Sequence, residues 1–112
     1  FGMTISELST AVEHKINTIT IVMNNKSWGA EKAYQKDFFG KRYLGADITS
    51  PSFDKVAELY GAKGFKVKKI SEISEAVRAA IKSNKPSVID VDVDPKALYS
   101  FRRDSFKHKL KK

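Results

Sequence analysis

"TITIVMNNKSWGAEK", residues 18–32, decides how this chain is read. Residues 18–23 are apolar or β-branched nearly throughout, the composition of a strand buried on both faces of a parallel sheet. The run stops at two asparagines, although one Asn and a Gly would serve an ordinary turn. In open α/β sheets a ligand sits beyond the carboxyl ends of the strands. A doubled carboxamide at that place asks for a chemical reason.

Working outward, Thr4 and Glu7 have the spacing of a capping box. Ile5, Leu8, Ala11 and Val12 recur at helical period, which predicts a helix near 4–14. After the asparagines, "WGAEKAYQKDFF" reads as a short helix and "GKRYLGADITSP" as a loop. "SFDKVAELYG" predicts a helix with Ser52 as N-cap, one face made of Phe53, Val56, Ala57 and Tyr60, and a stop at Gly61. "FKVKKI", residues 65–70, alternates apolar residues with lysine, as a half-exposed strand near a sheet edge does. "SEISEAVRAAIKSN" predicts an amphipathic helix with Ile73, Ala76, Val77, Ala80 and Ile81 inward, and "PSVIDVDV" a further strand. Strands alternating with helices predict an α/β fold with an open parallel sheet.

At 112 residues, 41% of them hydrophobic, the chain has the material of one domain with a modest core. No apolar run approaches the roughly 20 residues of a membrane span, and no signal peptide is visible. The absence of cysteine rules out disulfides and thiolate metal sites, and fits a cytoplasmic location. The net charge of +8 invites a nucleic-acid reading. Its location argues against that, because "FRRDSFKHKLKK" at 101–112 carries six Lys/Arg against one acid. A basic end of this kind is more often a solvated tail than a phosphate or RNA contact.

An Asn side-chain oxygen is a neutral hard ligand, suited to Mg²⁺ or Ca²⁺ alongside backbone carbonyls and phosphate oxygens. Asn25 and, through its carbonyl, Ser27 can offer such atoms from a single turn; an Asx turn explains the same residues without a ligand. Glu31 and Trp28 follow closely. A glutamate there can serve proton transfer or be a solvated helix-turn acid, and the tryptophan can wall a substrate or simply pack. Lys26, Lys32, Lys41 and Arg42 can attract an anion or form a charged surface. Asp90, Asp92 and Asp94 alternate on a strand face, which suggests a metal less than a solvated edge or a loop cap. His14 and His108 have no support as a catalytic pair.

"FGMTISELSTAVEHKINTITIVMNN" resembles the second half of the motif of thiamin-diphosphate-dependent enzymes, which runs from Gly-Asp-Gly to Asn-Asn. "NNKSWGAEKAYQKDFFGKRYLGADI" and "FRRDSF" are similar to the sulfoacetaldehyde acetyltransferase branch, more so than to acetolactate synthase or pyruvate decarboxylase. The likeness covers essentially the whole chain. It implies the carboxy-terminal, pyrophosphate-binding domain of that family, a three-layer parallel sheet with helices on both faces, here lacking its first strand. It further implies that Asn25 binds Mg²⁺ by its side chain and Ser27 by its carbonyl, with the ion clamping the diphosphate. Asn24 then shapes the turn, Met3, Trp28 and Gly29 join the cofactor-binding set, and Glu31 is the catalytic candidate.

The resemblance implies a reaction of sulfoacetaldehyde with phosphate to give acetyl phosphate and sulfite. The cofactor carries the difficult chemistry there, while the protein orients it. An acetolactate-synthase-like carboligase, and a non-catalytic α/β binding module with a basic tail, are the alternatives. The Gly-Asp-Gly aspartate and the pyrimidine-binding domain of a partner chain fall outside these 112 residues. The expectation is therefore a piece of a larger homo-oligomeric enzyme, inactive alone and prone to self-association through uncovered sheet surface.

Overall fold

The computed structural model describes residues 1–100. The predicted basic tail at 101–112, with His108, lies outside the described residues. Two compact units are present, one formed by Phe1–Asn24 with Ser50–Val93, the other by Asn25–Thr49 with the chain from Asp94.

The first unit is built on three strands, β1 (Ile19–Asn24), β2 (Lys63–Val67) and β3 (Ser87–Asp92). All pairing is parallel, in the order β1-β3-β2. Three of the chain's helices belong to it: α1 (Glu7–Glu13), α3 (Phe53–Leu59) and α4 (Ile73–Ser83). Among the described residues the helix of the second unit is α2 (Gly29–Phe38). The α/β class and the parallel pairing agree with the sequence reading.

β3 is the centre of the core because it has a neighbour on each side and helices on each face. Val88 and Ile89 are fully buried on opposite sides, each worth about 1.5–3 kcal/mol of transfer free energy. On the first face, Val22 and Val88 pack with Leu8 of α1 and with Phe53 and Ala57 of α3. On the second, Val67, Ile89 and Val91 pack with Ala76 and Ala80 of α4. Helices thus lie on both faces of the sheet. Phe1 meets Phe53 edge to face at 5.3 Å, which fastens the start of the chain to α3.

Several local expectations change. β1 is covered on one face only: Val22 and Asn24 are buried, while Ile21 is 45% and Met23 63% exposed. Among the described residues β1 is an edge strand, and α1 and α3 cover only its Val22 side. The strand enclosed on both faces is β3. The predicted capping box does not form, because residues 2–4 make a 3₁₀ turn in which the Thr4 hydroxyl donates to the Phe1 carbonyl. Helix α1 consequently begins at Glu7. Ile81 is 63% exposed because the buried stripe of α4 runs through Ala76 and Ala80. Ser52 does occupy the N-cap of α3, but its hydroxyl donates to Asp54 instead of capping a backbone amide. The stop at Gly61 holds, in the left-handed conformation a glycine adopts without strain (φ +88°).

Candidate functional site

β1 ends at Asn24, and the two asparagines have different surroundings. Asn24 is buried, and its side-chain Nδ2 donates to the Asp90 carboxylate at 3.1 Å. It anchors the strand end rather than shaping a turn. Asp90, expected at a solvated edge or loop cap, is instead fully buried. Its other oxygen accepts from the Phe53 N–H at the start of α3 (3.1 Å) and from Lys66 Nζ (3.2 Å). A buried carboxylate requires such donors. Lys66 also reaches Asp92 at 2.5 Å. Asp94 behaves as a loop cap, accepting from the Lys96 N–H.

Asn25 opens the second unit. Its Oδ1 accepts from the Ser27 N–H at 3.1 Å, and the Ser27 hydroxyl donates to the Asn25 carbonyl at 3.3 Å. The residue between them, Lys26, takes the left-handed conformation with φ +55°, which is uncommon for a side chain of that kind. This is an Asx turn. A carboxamide oxygen has two lone pairs, so one bond to Ser27 leaves acceptor capacity on Oδ1.

The turn is held from both sides. Ser27 lies opposite Asp47 in a single antiparallel bridge. The Trp28 N–H donates to Ala46 at 2.8 Å and the Ile48 N–H to Lys26 at 3.1 Å. In that pattern the N–H and carbonyl of Ser27 itself are turned away from residues 46–48. Lys32 on α2 is paired with Asp47 and lies 5.5 Å from the Tyr43 ring centre. The Gln35 carboxamide both donates to and accepts from the Leu44 backbone, each at 2.9 Å. Segment 44–48 is in this way fastened to α2, and residues 26–28 to that segment. Lys32, Gln35 and Asp47 were not singled out for this role from the sequence; the signal was the i, i+3 placement of Lys32 and Gln35 on one side of α2.

Trp28 is the N-cap of α2 and 43% exposed, Gly29 is the first helical residue, and exposed Glu31 lies in the first turn. The structure therefore gathers Asn25, Ser27, Trp28, Gly29 and Glu31 in one turn and helix start. Met3 belongs to the first unit, on its 3₁₀ turn, 79% exposed. Among the described residues no cluster of three or more His, Asp, Glu or Cys side chains is placed to hold a metal. Any cation here would depend on neutral oxygens and on its ligand's own phosphates. The residues present fit that demand: a carboxamide oxygen and a turned-out carbonyl two residues apart are hard donors of the kind Mg²⁺ takes. Gly29 leaves room beside the Asn25 carboxamide, since a Cβ there would lie 2.8 Å from Nδ2. A shallow cavity of about 630 Å³ between β2 and α4, lined by Phe65, Val67, Glu72 and Ala76 among others, contains none of these residues. No helix among the described residues is long and apolar enough to cross a membrane.

Residues 1–91 match the family described as thiamine pyrophosphate enzyme, C-terminal TPP binding domain. A sulfoacetaldehyde acetyltransferase of Alcaligenes xylosoxydans is 36% identical over 94% of this chain and 18% of its own length. A probable acetolactate synthase large subunit of Methanococcus aeolicus is 33% identical over 89% of the chain and 17% of its own. The thiamine diphosphate-dependent 4-hydroxybenzoylformate decarboxylase of Rhodococcus jostii superposes with a TM-score of 0.76 at 27% identity, covering 83% of this chain and 18% of that one. The chain spans about a fifth of the length of these relatives. Asn-Asn at a strand end, a parallel sheet and a match over residues 1–91 agree, and the chain belongs to the thiamine pyrophosphate enzymes, in their C-terminal cofactor-binding domain.

Proposed function

We propose that Asn25 Oδ1 and the Ser27 carbonyl hold a Mg²⁺ ion that clamps the diphosphate of thiamin diphosphate. The observation that carries this reading is the acceptor capacity left on Asn25 Oδ1 beyond its bond to Ser27, two residues from the turned-out Ser27 carbonyl, in a chain of this family. Bound thiamin diphosphate supplies the carbon nucleophile and electron sink for chemistry at a carbonyl. The chain's own residues position and shield. Asn25 and Ser27 fix the diphosphate end, and Gly29 and Trp28 border it. Glu31, exposed at the start of α2, takes or gives a proton on the substrate side.

The substrate reading is acyl transfer from sulfoacetaldehyde to phosphate. It is supported by the 36% and 35% identities to two sulfoacetaldehyde acetyltransferases, against 33% to acetolactate synthases. The sulfoacetaldehyde acetyltransferase is more than five times as long as this chain; on this reading most substrate contacts, and a pyrimidine-binding domain of a partner chain, lie outside these 112 residues. The 112-residue chain by itself is expected to form no acetyl phosphate or acetolactate.

Calorimetric titration of this chain with Mg²⁺ and thiamin diphosphate tests the site. Asn25→Ala removes a direct ligand and should weaken binding by at least about 10-fold, since even residues that only orient ligands typically matter that much. Ser27→Ala keeps the carbonyl and should be mild. Equal affinity of Asn25→Ala and the parent would reduce the asparagine pair to an anchor and a turn.

A further inference from the structure

Four glycines of this chain can be sorted by why they are glycine. Gly40, Gly45 and Gly61 have positive φ, between +60° and +88°, a conformation that side chains resist. Gly29 does not. It is the first residue of α2, where its backbone suits any L-residue and where alanine is the better helix former. What sets Gly29 apart is the space beside it. A Cβ on Gly29 would lie 2.8 Å from Asn25 Nδ2 and 3.9 Å from Asn25 Cγ, and among the described residues no other atom beyond its chain neighbours and its own helix backbone comes within 4 Å.

We propose that Gly29 is a positioning residue for Asn25: the Asn25 carboxamide lies in the space a side chain at 29 would take, and this fixes where Oδ1 points. The inference rests on the cation-site reading for its purpose, but not for its geometry. The contact is with the end of a short, rotatable side chain, so a methyl group at 29 displaces the carboxamide and leaves the backbone in place. The carboxamide then swings off the Ser27 N–H, which it meets at 3.1 Å. On the cation reading, Oδ1 is then moved off the ion. Glycine at 29 trades helix propensity for a free carboxamide.

The test is Gly29→Ala in the ¹⁵N-labelled 112-residue chain, read by NMR, by thermal unfolding and by binding of Mn²⁺ with thiamin diphosphate followed by electron paramagnetic resonance. The expected result has three parts. The Asn25 side-chain amide pair and the Ser27 backbone amide both shift, the unfolding midpoint does not fall, and Mn²⁺ affinity drops about 10-fold. In an Asn25→Ala background the same glycine substitution has nothing to displace, so the Ser27 amide stays where that background puts it. Unmoved Asn25 and Ser27 resonances in Gly29→Ala overturn the proposal, whatever the metal does. So does an equal shift of the Ser27 amide in the Asn25→Ala background. Shifted resonances in a parent chain that takes up no Mn²⁺ uphold the positioning role and sink the cation reading instead.

Discussion

Asn24 and Asp90 meet across two parallel strands, side-chain Nδ2 to carboxylate at 3.1 Å, with the aspartate fully buried. The pair is a same-face diagonal two residues off register, since Asn24 stands opposite Asp92 and Val22 opposite Asp90. A carboxylate in that position is tolerable only while Asn24, the Phe53 N–H and Lys66 all donate to it.

Asp90→Ala should cost about 3 kcal/mol, the low end for breaking a buried ion pair, because Lys66 keeps partial contact with water and retains Asp92. Asn24→Ala should cost about 2 kcal/mol, the value of a hydrogen bond to a charged acceptor. Urea denaturation of the two variants and the double variant measures both. Strict additivity of the two losses would contradict the direct bond.

The pH dependence follows from Lys66 and Glu72. Burial pulls the Lys66 pKa down, but hydrogen bonds to Asp92 and Asp90, and their charges, outweigh it and hold the ammonium above its ordinary value. A raised folded-state lysine contributes fully below its unfolded pKa of about 10.4, and the contribution is lost as pH rises through the folded value. Glu72 is lowered, first by the Lys68 N–H bond and then by that of Lys69. Its contribution is present above about pH 4.3 and lost as pH falls through the folded value. Stability measured across pH should therefore fall at both ends, with Lys66→Met flattening the alkaline limb and Glu72→Gln the acid limb. A limb that keeps its slope in the matching variant removes that residue from the account.

Self-association is the expected consequence of the uncovered side of β1. Ile19, Ile21 and Met23 line one face at 36%, 45% and 63% exposure, on a strand with no charged residue. β2, at the other edge, carries Lys63 and Lys66, the kind of residue that guards an edge. Sedimentation velocity should show concentration-dependent association of the parent, reduced by Ile21→Lys with Met23→Lys. Identical sedimentation of the two at all concentrations would refute this.

Period and turn chemistry made the fold legible. Lysine alternation in "FKVKKI" identified an edge strand, and Gly61 identified the end of α3. What escaped the sequence was which face of a strand is covered. "TITIVM" reads as doubly buried because β-branched composition reports strand, whereas coverage depends on neighbours far away in the chain. Asp90 escaped for the same reason: its donors come from positions 24, 53 and 66. The turn at Asn25 and Ser27, on which the candidate site is built, was legible because its bonds span two residues. The fastening of that turn by Lys32, Gln35 and Asp47 was not, since it depends on how a loop returns to α2.

The enclosed aspartate of β3 also selects among sheet alignments. If β3 slid one residue against both neighbours, its faces would exchange and the Asp90 carboxylate would point at Ala76 and Ala80 beneath α4. No amide, backbone N–H or ammonium of the present set would follow it there, and an unpaired carboxylate in apolar surroundings costs several kcal/mol. Val88, Ile89 and Val91 are nearly interchangeable as apolar residues and would accept either alignment. The single charge among them does not, so the strand carries its own alignment key.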